Sequence, residues 1–225
     1  MAKYGTIIWI AILTIIALFL IIPSTHSIFV SVTGLHPYLM GFIKFAILSI
    51  MGEYLANRLV YKKWVKVNGV IFKMCIWGIL GVLIVLMFAI FTQGVQGAVE
   101  KGLLYIGSSS ATPVLRAFYI SAIMNLTFAP VFMATHRITD TYIDAYSTHR
   151  HRVSLSKVIK SIDWSGFLSF VVGKTIPLFW IPAHTITFLL PDEYKVLFAA
   201  SLSIVLGMIL SYAKLKKSET ESLSD

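Results

Sequence analysis

Long apolar runs broken by short charged stretches constrain this chain more than any other feature. Residues 5–22, 36–60, 69–95, 113–135, 165–188 and 194–213 are each long enough to cross a bilayer as a helix. In hydrocarbon every backbone N–H and C=O must be satisfied within the segment, which leaves helices as the way to build such runs. With 57% hydrophobic and 13% charged residues, the chain lies outside the range of soluble domains. The expected fold is an all-α, polytopic transmembrane bundle of six spans. It is one domain over 1–217, with a disordered polar tail at 218–225. Residues 5–22 also resemble a cleavable signal peptide, but the positive end is thin and no small-residue cleavage pattern follows.

The distribution of Lys and Arg sets the orientation. Placing both termini in the cytoplasm puts Lys3 inside, then Arg58, Lys62, Lys63 and Lys66, then Arg137, Arg150, Arg152, Lys157 and Lys160, then Lys214, Lys216 and Lys217. Only Lys101 and Lys195 fall outside. The net charge of +9 is thereby explained by orientation signals, and nucleic acid is not an expected partner. The lone Cys75 excludes an intrachain disulfide framework. The connection 136–163 reads as a solvated inner linker or a segment lying on anionic headgroups, and 92–112, rich in Gly and Ser, as a flexible outer loop. His149 and His151 have no nearby carboxylate or cysteine, so no metal is expected there.

Polar residues within the spans are the candidate functional groups, because a polar group at bilayer depth faces the bundle interior or water. In α periodicity Gly173, Pro177, Trp180, His184, Thr187 and Pro191 form one stripe on the fifth span. Ser49, Glu53 and Asn57 share a face of the second. Glu53 needs a cation from another span, and Lys73, Arg116 and Lys174 are the candidates. Lys44, about half a turn away from that face, is expected to snorkel outward. Asn125 sits before Pro130 in the fourth span, too deep for a glycosylation acceptor. Pro130, Pro177 and Pro182 are expected to kink their helices. Ala199, Ser203, Gly207 and Ser211, spaced by four, read as a close-packing surface.

No nucleophile elbow, P-loop, zincin helix or dinucleotide fingerprint is present, so neither enzyme activity nor a cofactor is expected. The leading expectation is a permeation path for small polar solutes or ions, lined by Glu53, Asn57, Asn125, Trp180, His184 and Thr187, in a chain able to form homo-oligomers. The alternatives are a non-conducting structural or regulatory protein and a proton-coupled transporter using Glu53 and His184.

Three motifs in order carry a resemblance. Gly52-Glu53 with Asn57, Phe128-Ala129-Pro130 with Phe132, and Trp180, His184, Thr187-Phe188, Leu190-Pro191 and Tyr194-Lys195 through Leu210-Ser211 are similar to the signature of the 22 kDa peroxisomal membrane protein family. That family includes the Mpv-17-type proteins of the mitochondrial inner membrane. His184, Thr187 and Glu53 stand where its pattern has Gln, Asn and Asp. The resemblance covers 36–213, leaving 1–35 as an extra N-terminal span and outer loop. It implies a small channel-like membrane protein, here of a prokaryotic cell membrane, or of an organelle membrane in a eukaryote.

Overall fold

The computed structural model describes residues 4–222, so Lys3 lies outside the described residues. Among them there are nine helices and no strand: α1 Gly5–Ile21, α2 Pro23–Leu35, α3 Pro37–Tyr61, α4 Val70–Glu100, α5 Thr112–Thr127, α6 Ala129–His149, α7 Leu155–Ser161, α8 Trp164–Leu189 and α9 Asp192–Ser222. Proline starts much of this order. Pro23, Pro37, Pro113 and Pro130 lie at the first or second position of α2, α3, α5 and α6, where the missing N–H has no intrahelical acceptor to serve.

Three helices, α3, α4 and α8, are individually long and apolar enough to cross a membrane, and the number rises to five if each of two bent pairs is one span. The pairs are α1 with α2, bent by 87° at Ile22-Pro23, and α5 with α6, bent by 48° beside Pro130. The first apolar run is a helix, α1, and the stretch after it, expected to be an outer loop, is a second helix turned almost at right angles.

Several stretches read as irregular are helical. Residues 136–163 carry the end of α6 and all of α7, and α4 continues to Glu100, which confines the Gly/Ser-rich connection to 101–111. The backbone of α9 extends to Ser222, into the segment expected to be a disordered tail, whose residues 223–225 lie outside the described ones. The polar composition of these stretches conceals an i, i+4 pattern of helix-compatible side chains.

The core is a sandwich of α4, α3 and α9. Gly41 on α3 faces Gly81 on α4, and a Cβ at Gly81 would collide with the Gly41 carbonyl and with Phe45 Cβ. On the other side of α3, Gly52 meets the backbone of Ser203, and Ser211 Oγ donates to the Ala56 carbonyl at 3.2 Å. The small-residue stripe on α9 is thus a helix contact surface, since small side chains let backbones approach. Replacing Gly81 with Ala should lower the thermal midpoint in detergent, an overpacking cost of about 1–3 kcal/mol. The same change at Gly34, where nothing lies within 4 Å, should leave the midpoint nearly unchanged.

Over Phe167–Trp180 the turns of α8 widen to π geometry: Ile181 N–H reaches the Ile176 carbonyl and Thr175 Oγ1 donates to the Phe170 carbonyl, both five residues back. Pro177 lies inside this section, where wider turns relieve the clash between its ring and the preceding turn. Pro182 follows in the first α turn, and Trp164–Leu189 runs on as one 26-residue helix. Widening changes the phase of the face. The buried residues of the π section are Phe167, Thr175 and Ile176, whereas Gly173, Pro177 and Pro191 of the expected stripe are exposed.

Candidate functional site

The polar residues of α3, α5 and α8 meet at one cavity of about 480 Å³, partly open to the surface. Ser49 and Glu53 come from α3, Asn125 from α5, His136 and Asp140 from α6, and Trp180 and His184 from α8. Aromatic side chains, among them Trp77, Phe128 and Phe132, form the walls between them.

At one end Asn125, fully buried, bonds His184. Asn125 Nδ2 lies 3.0 Å from His184 Nδ1 and donates to the Ser121 carbonyl at 2.8 Å. Ser121 Oγ in turn donates to the Ile181 carbonyl at 2.7 Å, so α5 and α8 are clamped by a short polar chain. Asn125 Oδ1 lies 3.2 Å from the same His184 nitrogen, so the amide presents both a donor and an acceptor to it. Trp180 stacks on the His184 ring at 5.2 Å, and Phe88 meets it edge-on at 5.9 Å.

The other end is an ionic hub. Lys73 Nζ on α4 lies 2.8 Å from Glu53, 2.9 Å from Asp140 and 3.0 Å from Asp144, joining α3, α4 and α6. Lys73 is the cation that meets Glu53. Among the described residues Arg116 and Lys174 make no ion pair with it, and Lys174 is exposed. Asp140 and Asp144 are absent from the sequence-derived set because they fall in the stretch read as a linker. Their spacing with His136, four residues each, was the signal for one helical face.

Two expected lining residues are placed elsewhere. Thr187 is fully buried, and its hydroxyl donates to the Ala183 carbonyl at 2.9 Å, which spends its polarity within α8. Asn57, one turn beyond Glu53, is half-buried and outside the cavity wall.

Lys44 also departs from expectation. It is 5% exposed and points inward, donating to Thr33 Oγ1 at 3.1 Å and to the Glu193 carbonyl at 3.4 Å, with its ammonium 4.5 Å from the Phe29 ring centroid. The perpendicular α2 supplies Phe29 and Thr33, so this contact depends on a bend that periodicity does not reveal. Lys44 borders a second cavity of about 560 Å³, lined by residues of α2, the early part of α3, the late part of α4 and the start of α9. Tyr194, at that start, contacts His26 of α2 through its hydroxyl.

The two cavities follow one another along the same helices and adjoin partway down them. On α3, Lys44 lines one and Phe45 the other. On α4 the corresponding residues are Val85 and Ile84, and on α9 they are Val196 and Ala199. Phe88, in the wall of the Lys44 cavity, touches His184, in the wall of the Glu53 cavity, and its ring lies 4.8 Å from that of buried Phe188.

This geometry defines an all-helical protein with membrane-length apolar helices and an amphipathic interior cavity. No family model, characterised protein or solved structure matches the chain. Among the described residues no group of three His, Cys, Asp or Glu side chains is placed to hold a metal ion.

Proposed function

We propose that the protein is a non-enzymatic permeation path for small solutes, held here in a closed state. In this reading the chain crosses a cell membrane six times with both termini in the cytoplasm, and it is a divergent relative of the 22 kDa peroxisomal membrane protein family. The observation that carries the reading is the pair of cavities end to end along α3, α4 and α9, which adjoin where Phe88 meets His184. With the Lys- and Arg-rich ends in the cytoplasm, in this reading the Glu53 cavity faces the cytoplasm and the Lys44 cavity the outside.

Unpaired polar atoms support a wet interior. Ser49 Oγ, His136 Nδ1 and Trp180 Nε1 are buried without a hydrogen-bond partner, and all three residues line the Glu53 cavity. Buried polar atoms without protein partners mark places where water or solute completes the bonding. Hydrophobic layers close conduits by excluding water, the role assigned to Phe88 and its neighbours.

The test is electrical. Purified protein in planar bilayers should give discrete conductance steps, and Glu53→Gln should shift the cation-to-anion permeability ratio toward anions. Monodisperse protein that remains silent over a range of voltages would exclude conduction and leave the bundle with a non-conducting structural role.

A further inference from the structure

We propose that the Glu53 cavity binds an amphipathic organic cation, a quaternary or protonated amine carrying a compact apolar body. For its place in transport this rests on the permeation reading above, but binding itself does not. Charge points to the sign of the ligand. One ammonium, Lys73, serves three carboxylates, so the hub keeps an excess of negative charge, and the Glu53 and Asp140 carboxylates belong to residues in the cavity wall. Arg137 also borders the cavity, but it is exposed and forms no ion pair with a described carboxylate. An anion would meet this excess unfavourably.

The walls point to the rest of the ligand. Trp77, Phe128, Phe132 and Trp180 present aromatic surface to the same space, and aromatic faces attract cations that ordinary hydration shells hold weakly. A fully hydrated metal ion gains little from such walls, whereas an organic cation buries its apolar body there. The volume of about 480 Å³ falls within the range of small-molecule sites. Independently of the carboxylates, Ser49 is 3% exposed with its hydroxyl unpartnered, one turn deeper on α3 than Glu53. Its oxygen and the Trp180 indole N–H offer a ligand an acceptor and a donor. Phe170 lines the cavity while remaining 43% exposed on the widened part of α8, so the aromatic wall continues to the outer surface of that helix.

Isothermal titration of detergent-purified full-length protein tests this with benzyltrimethylammonium, its neutral analogue neopentylbenzene and the anion benzenesulfonate. Saturable binding of the cation is expected, with much weaker binding of the other two. Asp140→Asn and, separately, Trp180→Leu should each raise the dissociation constant about tenfold, the size expected for losing a partly desolvated charge or a cation–π face. The variants act at opposite ends of the cavity, so either one that remains monodisperse suffices. Absence of saturable cation binding, or equal binding of the neutral analogue or the anion, would overturn the assignment. Conductance is measured separately, so a cation-binding protein that never conducts retains this site and loses the permeation reading.

Discussion

Replacing Lys73 with Met should destabilise the folded bundle by about 3 kcal/mol, the lower end of the cost of removing one partner from a buried ionic cluster. The ammonium is 4% exposed and lies within 3.0 Å of three carboxylates on two other helices. Without it Glu53, Asp140 and Asp144 repel one another across the contact between α3 and α6. Asp144 is about half exposed, so solvent screens part of its share, which is why the lower value applies. Unfolding by a denaturing detergent, followed by circular dichroism, gives the measurement. Adding Asp140→Asn to the Lys73→Met variant should restore part of the loss, because one repelling charge is gone. A single substitution with wild-type stability would show that the hub does not hold these helices together.

Phe88→Ala should open the closed path. Its ring stands where the two cavities adjoin, against Phe188 and the edge of His184, and truncation joins the spaces. Conductance in planar bilayers should rise on the order of tenfold, as expected when a dewetted apolar constriction is widened. Phe88 is also core, and the deletion should cost about 3 kcal/mol of stability if the cavity stays dry. The two effects separate: a packing role alone lowers the unfolding midpoint without changing current, whereas a gate changes both. Phe88→Leu, which keeps most of the volume, should stay near wild-type conductance.

Both predictions depend on residues with different legibility in the sequence. Glu53 is conspicuous because a carboxylate inside an apolar run needs a partner, and Lys73 is among the cations that could supply it. Asp140 and Asp144 are inconspicuous, since their stretch is polar enough to read as a linker. Their helix is held by the packing of Ile143 and by the ion pairs themselves, which are tertiary contacts. Phe88 carries no sequence signal, because one phenylalanine in a long apolar helix looks like any other. Only the position of α8 makes it a partition. His184 and Asn125 could be chosen as buried polar groups, but their mutual bond joins residues 59 apart in the chain.

Composition and periodicity alone are enough to read this protein as helical and apolar enough for a membrane, to locate its main helical segments, and to find the face of α9 that packs closely. Those properties follow from local composition and from the need to satisfy backbone polar groups within each segment. Tertiary structure decided the inward turn of Lys44, the loss of Thr187 and Asn57 from the cavity, the phase of α8 and the meeting of three carboxylates at Lys73. The turn of Lys44 depends on a bend and the phase of α8 on a change of helical pitch, and the others on which helices pack together. An 87° turn at Pro23 and a widened run from Phe167 to Trp180 redirect side chains that an ideal α periodicity would point elsewhere.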